Sequence, residues 1–308
     1  MLRNLIVIVT LGLVALLPFV TKENDANVSA GIRILRDLPY TEASKDPEQQ
    51  LDLYLPQIKY SSKLPLVVWI HGGGWKAGDK NDTPAFEMAN RGYAVASLNY
   101  RLSQHAVFPA QIYDCKAAIR WLRAHGEDYN MNVSRIGVWG ASAGGHLAAL
   151  LGVSNGVSQL EGDLGNPKQS SSVQAVCDFC GPVDLPAFNQ QVMAPMYRQF
   201  KAEDLVNELL GGTPEQKKEL AVEASPINFI SKDDPPFMVV HSTEDPIVPF
   251  EQSDKFVQKL KEAGVSVTFI KVEGNNHMPL NNKTFAAVYD FFDEKIKAPD
   301  AAAQQEPE

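Results

Sequence analysis

A serine set between glycines invites nucleophilic chemistry, and Gly140-Ala141-Ser142-Ala143-Gly144-Gly145 has the G-x-S-x-G spacing. The stretch follows an apolar run at 136–139 and precedes a helical pattern. That is the strand–turn–helix context in which a sharp turn lifts a serine hydroxyl above a sheet. Glycines belong on both sides because side chains there would collide with neighbouring strands. The hydroxyl would stand at a helix N-terminus, whose dipole favours a developing negative charge. A second glycine stretch, His71-Gly72-Gly73-Gly74-Trp75, follows the apolar run at 66–70. Without side chains in the way, backbone N–H groups of such a loop can reach a substrate oxygen. Gly73 and Gly74, with Ala143 after the serine, are the expected donors of an oxyanion hole. No Lys-Ser or Lys-Thr follows the glycines, so a P-loop is excluded. His71 reads as a loop-shaping residue rather than a base.

A serine nucleophile needs a general base and an acid to orient it. After such an elbow the chain order is Ser, then Asp or Glu, then His. Asp245 stands in the loop after the apolar run at 237–240, with Pro246 to fix the turn, and Glu244 is the adjacent alternative. His277 follows the run at 265–272 and is the only histidine beyond His241. Ser142, Asp245 and His277 are therefore the expected triad. Trp75 is a candidate platform for an aromatic acyl group or a sugar ring, with a packed core tryptophan as the alternative. His105, His125, His146 and His241 lack metal-ligand spacing and read as surface or core residues, so no metal site is expected.

These residues must be held by a scaffold, and the pattern around them supplies one. Strand-like runs at 32–38, 51–55, 66–70, 93–98, 135–139, 173–179, 237–240 and 265–272 alternate with helical patterns at 109–125, 143–151, 252–262 and 283–294. The run at 66–70 is continuously apolar, as a strand covered on both faces is, and the later runs follow in the same style. Alternation of this kind predicts an α/β fold with one mostly parallel, eight-stranded sheet and helices on both faces. Residues 185–230 carry helix signals but no strand signal. They read as an inserted cap over the carboxyl edge of the sheet, where ligands bind in open α/β sheets.

The bulk numbers bound the rest. The chain has 308 residues, 44% hydrophobic and 21% charged, enough apolar material for one sizeable domain. A net charge of −9 argues against nucleic acid as a partner. The apolar run at 5–17 behind Arg3, with Val28-Ser29-Ala30 after it, predicts a secretory signal peptide over residues 1–30. The mature chain would then be exported with no stable membrane insertion, and a retained anchor is the alternative. Residues 31–296 form the domain, and 297–308 read as a disordered tail. Three cysteines, Cys115, Cys177 and Cys180, leave at least one thiol unpaired. Cys177 and Cys180 lie three apart in an expected strand, too distant to bridge, so both read as small apolar residues.

With these motifs assembled, the chain resembles the hormone-sensitive-lipase-like carboxylesterases of the α/β-hydrolase superfamily. Within them it is most similar to bacterial feruloyl and acetyl esterases that act on plant polysaccharide esters. The resemblance spans roughly residues 51–292. Its supports are His71-Gly72-Gly73-Gly74-Trp75 with Gly78-Asp79-Lys80, Asn99-Tyr100-Arg101-Leu102-Ser103, Phe108-Pro109-Ala110-Gln111-Ile112-Tyr113-Asp114, Ala118-Ile119-Arg120-Trp121-Leu122-Arg123 and the stretch from Gly140 to Ala148. The resemblance implies a Ser142–Asp245–His277 triad, no cofactor, and small-molecule or carbohydrate-linked carboxylic esters as substrates. It also implies a structural role near Asp184. Cys180 stands where such relatives tend to carry a bulky aromatic, which predicts a reshaped pocket wall. Rival readings are an arylformamidase or other amide hydrolase on the same fold, and a non-catalytic binding protein that kept it.

Overall fold

The computed structural model describes residues 27–29, 31–41, 46–57, 62–194, 196–197 and 201–297. Nine strands make one sheet: β1 (Asn27–Ser29), β2 (Ile32–Pro39), β3 (Gln50–Pro56), β4 (Leu64–Ile70), β5 (Ala94–Leu98), β6 (Met131–Ala141), β7 (Ala175–Phe179), β8 (Phe237–Ser242) and β9 (Val267–Val272). Their order is β1-β2-β3-β5-β4-β6-β7-β8-β9. The first three strands and the β3–β5 pair are antiparallel. From β5 to β9 every pairing is parallel. The eight strands read from the sequence are all present. The three-residue β1 adds a ninth at the edge, too short to leave a periodic signal, just ahead of the expected cut after Ala30. The earlier part of the expected leader, residues 1–26, and the tail from 298 lie outside the described residues.

Parallel strands need crossovers, and helices supply them on both faces. They are α1 (Ala85–Asn90), α2 (Ala110–Ala124), α3 (Ala143–Val153), α4 (Ser158–Glu161), α5 (Leu185–Gln191), α6 (Ala202–Leu210), α7 (Lys218–Glu223), α8 (Glu251–Glu262) and α9 (Asn282–Lys295). Successive strand residues point to opposite faces, so the sheet feeds two cores. Val68 belongs to one core with Ile119 of α2, Leu147 of α3 and Phe256 of α8. Val67, one residue earlier, belongs to the other, with Met88 of α1 and Phe292 of α9. All residues of β5, β7 and β8 are buried, which explains why they are mostly apolar, with Ser97, Asp178, His241 and Ser242 as the buried polar exceptions. The insertion between β7 and β8 holds α5, α6 and α7 and, among the described residues, no strand, as its sequence predicts. No described helix is long and apolar enough to cross a membrane. Cys115, Cys177 and Cys180 are buried free thiols.

Candidate active site

β4, β6, β7, β8 and β9 run parallel, so their carboxyl ends share one edge, and the chemistry-bearing residues follow those ends. Ser142 comes directly after β6 in a strained conformation, φ 56° and ψ −122°. Such strain survives only where the surroundings over-determine it. The Ser142 N–H donates to the Phe179 carbonyl at 2.7 Å, tying the elbow to β7. The flanking glycines are explained by contact. A Cβ on Gly140 would lie 2.1 Å from the Gly144 carbonyl oxygen, and one on Gly144 would lie 2.1 Å from that of Ile70. The same G-x-S-x-G spelling recurs at Gly152-Val153-Ser154-Asn155-Gly156, but Ser154 ends a helix instead of opening one and is wholly buried.

The three expected partners meet. His277 Nε2 lies 2.9 Å from Ser142 Oγ. His277 Nδ1 lies 2.7 Å from Asp245 Oδ2. Glu244, the alternative acid, has no such contact with His277; its N–H donates to the Gly274 carbonyl. Asp245 is 2% exposed, and each of its oxygens has two partners. The backbone N–H groups of Ile247 and Val248 donate to Oδ1 at 2.8 and 3.0 Å. His277 Nδ1 and His241 Nε2, the latter at 3.2 Å, face Oδ2. Burial pushes the carboxyl pKa up, but the hydrogen bonds from His241 and His277, then the His277 charge and the Ile247 N–H, outweigh it and hold the pKa at about 2. Sequence reasoning missed the role of His241. Its Nε2–H faces two acceptors, Asp245 Oδ2 and the Val248 carbonyl at 3.0 Å, so Nδ1 accepts from the Ser253 hydroxyl at 2.7 Å. No spacing in the sequence marks it, since it is simply a histidine near the end of β8.

The second glycine loop packs beside the serine. Gly73 and Gly74 have φ values of 108° and 61°, which glycine adopts at no steric cost. Ala143 is the first residue of α3, where the N–H has no intrahelical partner. His71 shapes this loop, as read. Its Nδ1–H donates to the Gly72 carbonyl at 2.7 Å, its ring stacks on Tyr100, and burial lowers its pKa.

Trp75 departs from the open platform considered for it. It is 2% exposed, and its indole N–H donates to His146 Nδ1 at 3.1 Å. His146 Nε2–H in turn donates to the Ala224 carbonyl at 2.7 Å, which ties α3 to the insertion. Burial lowers the His146 pKa to about 4, so the ring stays neutral. Trp75 is thus a wall of the site: it lines a cavity of about 20 Å³ with Ser142, Ala143, Phe188, Leu205 and Val248. A larger cavity of about 600 Å³ lies against the second glycine loop, lined by Gly72, Gly73, Asp82, Glu87, Met278 and Phe285.

Cys180 lines neither cavity. It sits beneath the triad, with its sulfur and single atoms of Asp245 and His277 all within 4.8 Å of one another. Among the described residues this is the one cluster with metal-ligand types and spacing, yet its Asp and His are already joined to each other and to Ser142. Asp184 caps α5, accepting from the Ala187 N–H at 3.2 Å and from Lys255 Nζ at 2.7 Å.

The BD-FAE family model matches residues 51–260. Esterase LipC of Mycobacterium tuberculosis is 30% identical over 237 residues, 75% of this chain and 57% of that protein. Esterase LipQ of the same organism is 31% identical over 247 residues, 78% of this chain and 56% of that protein. The chain thus spans little more than half the length of these curated relatives. Among solved structures, a truncated form of a carbohydrate esterase from gut microbiota superposes with a TM-score of 0.76 at 34% identity, over 85% of this chain and 95% of that one. A bifunctional GH43-CE protein of Bacteroides eggerthii superposes with a TM-score of 0.76 at 35% identity, over 85% of this chain and 35% of that one. A family match over more than half the chain, on a fold these solved structures share, places the protein in the BD-FAE family of α/β-hydrolase esterases.

Proposed function

We propose that the chain is a serine carboxylic ester hydrolase acting on acetyl or feruloyl esters of plant polysaccharides. The observation that carries the reading is the unbroken relay from Asp245 Oδ2 through His277 to Ser142 Oγ, at 2.7 and 2.9 Å. In the reaction, His277 Nε2 takes the proton of Ser142 as Oγ bonds to the ester carbonyl carbon. The carbonyl oxygen becomes an oxyanion that the N–H groups of Gly73, Gly74 and Ala143 receive. His277 returns the proton to the alcohol oxygen as the carbon–oxygen bond breaks, and the alcohol leaves. Water, deprotonated by His277 in the same way, frees the acid and restores Ser142. Asp245 keeps the productive tautomer by accepting from Nδ1–H throughout. Its carboxylate persists as pH falls until about 2, so it stays charged over the working range.

A carbohydrate alcohol suits the larger cavity, where Asp82 and Glu87 offer acceptors for hydroxyls beside the apolar Phe285 and Met278. The likeness to a carbohydrate esterase supports the same assignment. Export, read from the apolar run at 5–17, would bring the enzyme to a polymer that does not enter cells. The test of the catalytic reading is Ser142→Ala assayed with p-nitrophenyl acetate. Turnover should fall by about 10⁴–10⁶-fold, as for removal of a triad nucleophile. Activity within tenfold of the parent would reject it.

A further inference from the structure

Direction within the site follows from the proton. The alcohol oxygen must lie toward His277 Nε2, the atom that protonates it. Met278, the residue after His277, lines the larger cavity, so the alcohol takes that side. The acyl chain must then turn the other way, past Ala143, into the cavity of about 20 Å³. That volume is close to the minimum for one water, which admits a methyl group and little more. Two side chains of the insertion close it, Phe188 from α5 and Leu205 from α6. Leu205 rests directly on the oxyanion loop, since a Cβ on Gly74 would lie 2.6 Å from Leu205 Cδ1.

α6 is held at that distance by three attachments. Val206 and Leu209 are buried in the core, the Phe108 N–H donates to the Leu209 carbonyl at 2.8 Å, and Glu208 pairs with Lys76 of the same glycine loop at 2.6 Å. α5 is fixed by its Asp184 cap and by buried Phe188 itself, 3% exposed. The closing side chains are therefore seated on packed helices rather than on free loops.

We propose that Leu205 and Phe188 set the acyl specificity of the enzyme, limiting it to a two-carbon acyl chain. This rests on the esterase reading above and narrows its acyl group to acetyl against feruloyl. Neither residue supplies a polar group to the reaction; both act by the room they leave.

The test is kcat/KM of the full chain with p-nitrophenyl acetate, butyrate and hexanoate, and with methyl ferulate. Each methylene that a pocket discriminates is worth about 10–200-fold, so acetate should exceed butyrate by at least about tenfold, with hexanoate and ferulate lower still. Leu205→Ala and Phe188→Ala, on separate helices, should each raise the butyrate-to-acetate ratio by about tenfold. A parent enzyme that cleaves butyrate or ferulate as well as acetate overturns the proposal and leaves the esterase reading standing. So does an unchanged ratio in soluble forms of both variants. No turnover of any ester removes both readings. The parent profile decides even where a variant does not fold.

Discussion

His241 shows how much of a site a single residue can carry without touching substrate. Its Nε2–H helps hold Asp245 as a carboxylate, and Asp245 in turn holds His277. Hydrogen bonds to charged groups are worth about 1.5–3 kcal/mol. His241→Phe should therefore lower kcat by about ten- to a hundredfold, with KM nearly unchanged because no substrate contact is lost. The sign of the pH effect also follows. Asp245 has its pKa lowered in the fold, so its charged form is present above its ordinary value and is lost as pH falls through about 2. Removing a donor moves that loss upward by about one to two pH units, still below the working range, so the fall in kcat should be alike at pH 6 and pH 8. An intact kcat would show His241 to be ordinary packing. Ser142, Asp245 and His277 were legible because order along the chain constrains a triad on this fold. His241 was not. A histidine at a strand end has no telling spacing, and only the bend between β8 and α8 brings residue 245 back over residue 241.

At the scale of elements, the joint between β7 and α3 sets the elbow. Asp178 of β7 is wholly buried there; its Oδ1 accepts from the Gly181 N–H at 2.9 Å, and its Oδ2 has no hydrogen-bond partner among the described residues. A Cβ on Gly145 would lie 2.3 Å from Asp178 Oδ1, so the carboxyl presses on the first turn of α3. Burial raises its pKa to about 7, against one hydrogen bond that lowers it. The folded state thus holds a proton that the unfolded chain has released. Stability falls as pH rises from about 4 to about 7 and stays lower above, by up to about 4 kcal/mol. Asp178→Asn, the neutral isostere, should gain on the parent's melting temperature between pH 5 and pH 8 by roughly 5 °C or more. Equal melting temperatures at both pH values would contradict a protonated Asp178.

Element boundaries were legible where length allowed periodicity. α2, α3, α8 and α9 matched their sequence patterns to within a residue or two. α1 and α4, with six and four residues, span too few turns to show one. The middle segments that carried the family resemblance prove to be scaffold. Buried Asp114 accepts from Arg101 Nε at 2.8 Å and from Gln49 at 2.9 Å, locking the chain after β5 to α2.

For the whole molecule, six parallel strands do one job: they end together. The sheet could be read from hydrophobic pattern, because strands buried on both faces are mostly apolar, Asp178 of β7 being an exception. The size of the cavities could not: the smaller depends on which side chains of the insertion meet the sheet edge, and the larger on how the loops after β4 and β9 come together. The proposed export concerns the entire chain and has its own check. The N-terminus of secreted material, determined by mass spectrometry, is expected at Gly31. An intact Met1 on cell-associated protein would point to a retained anchor instead.

The link from Trp75 through His146 to Ala224 fastens the insertion to the helix behind Ser142. A cover fastened there keeps the wall behind Ser142 in place. On the proposed mechanism the alcohol departs before water arrives, and the freed acid leaves last. Free acid should accordingly inhibit by re-entering an empty enzyme, while added alcohol competes with water for the acylated one and drives transfer of the acyl group onto a new hydroxyl.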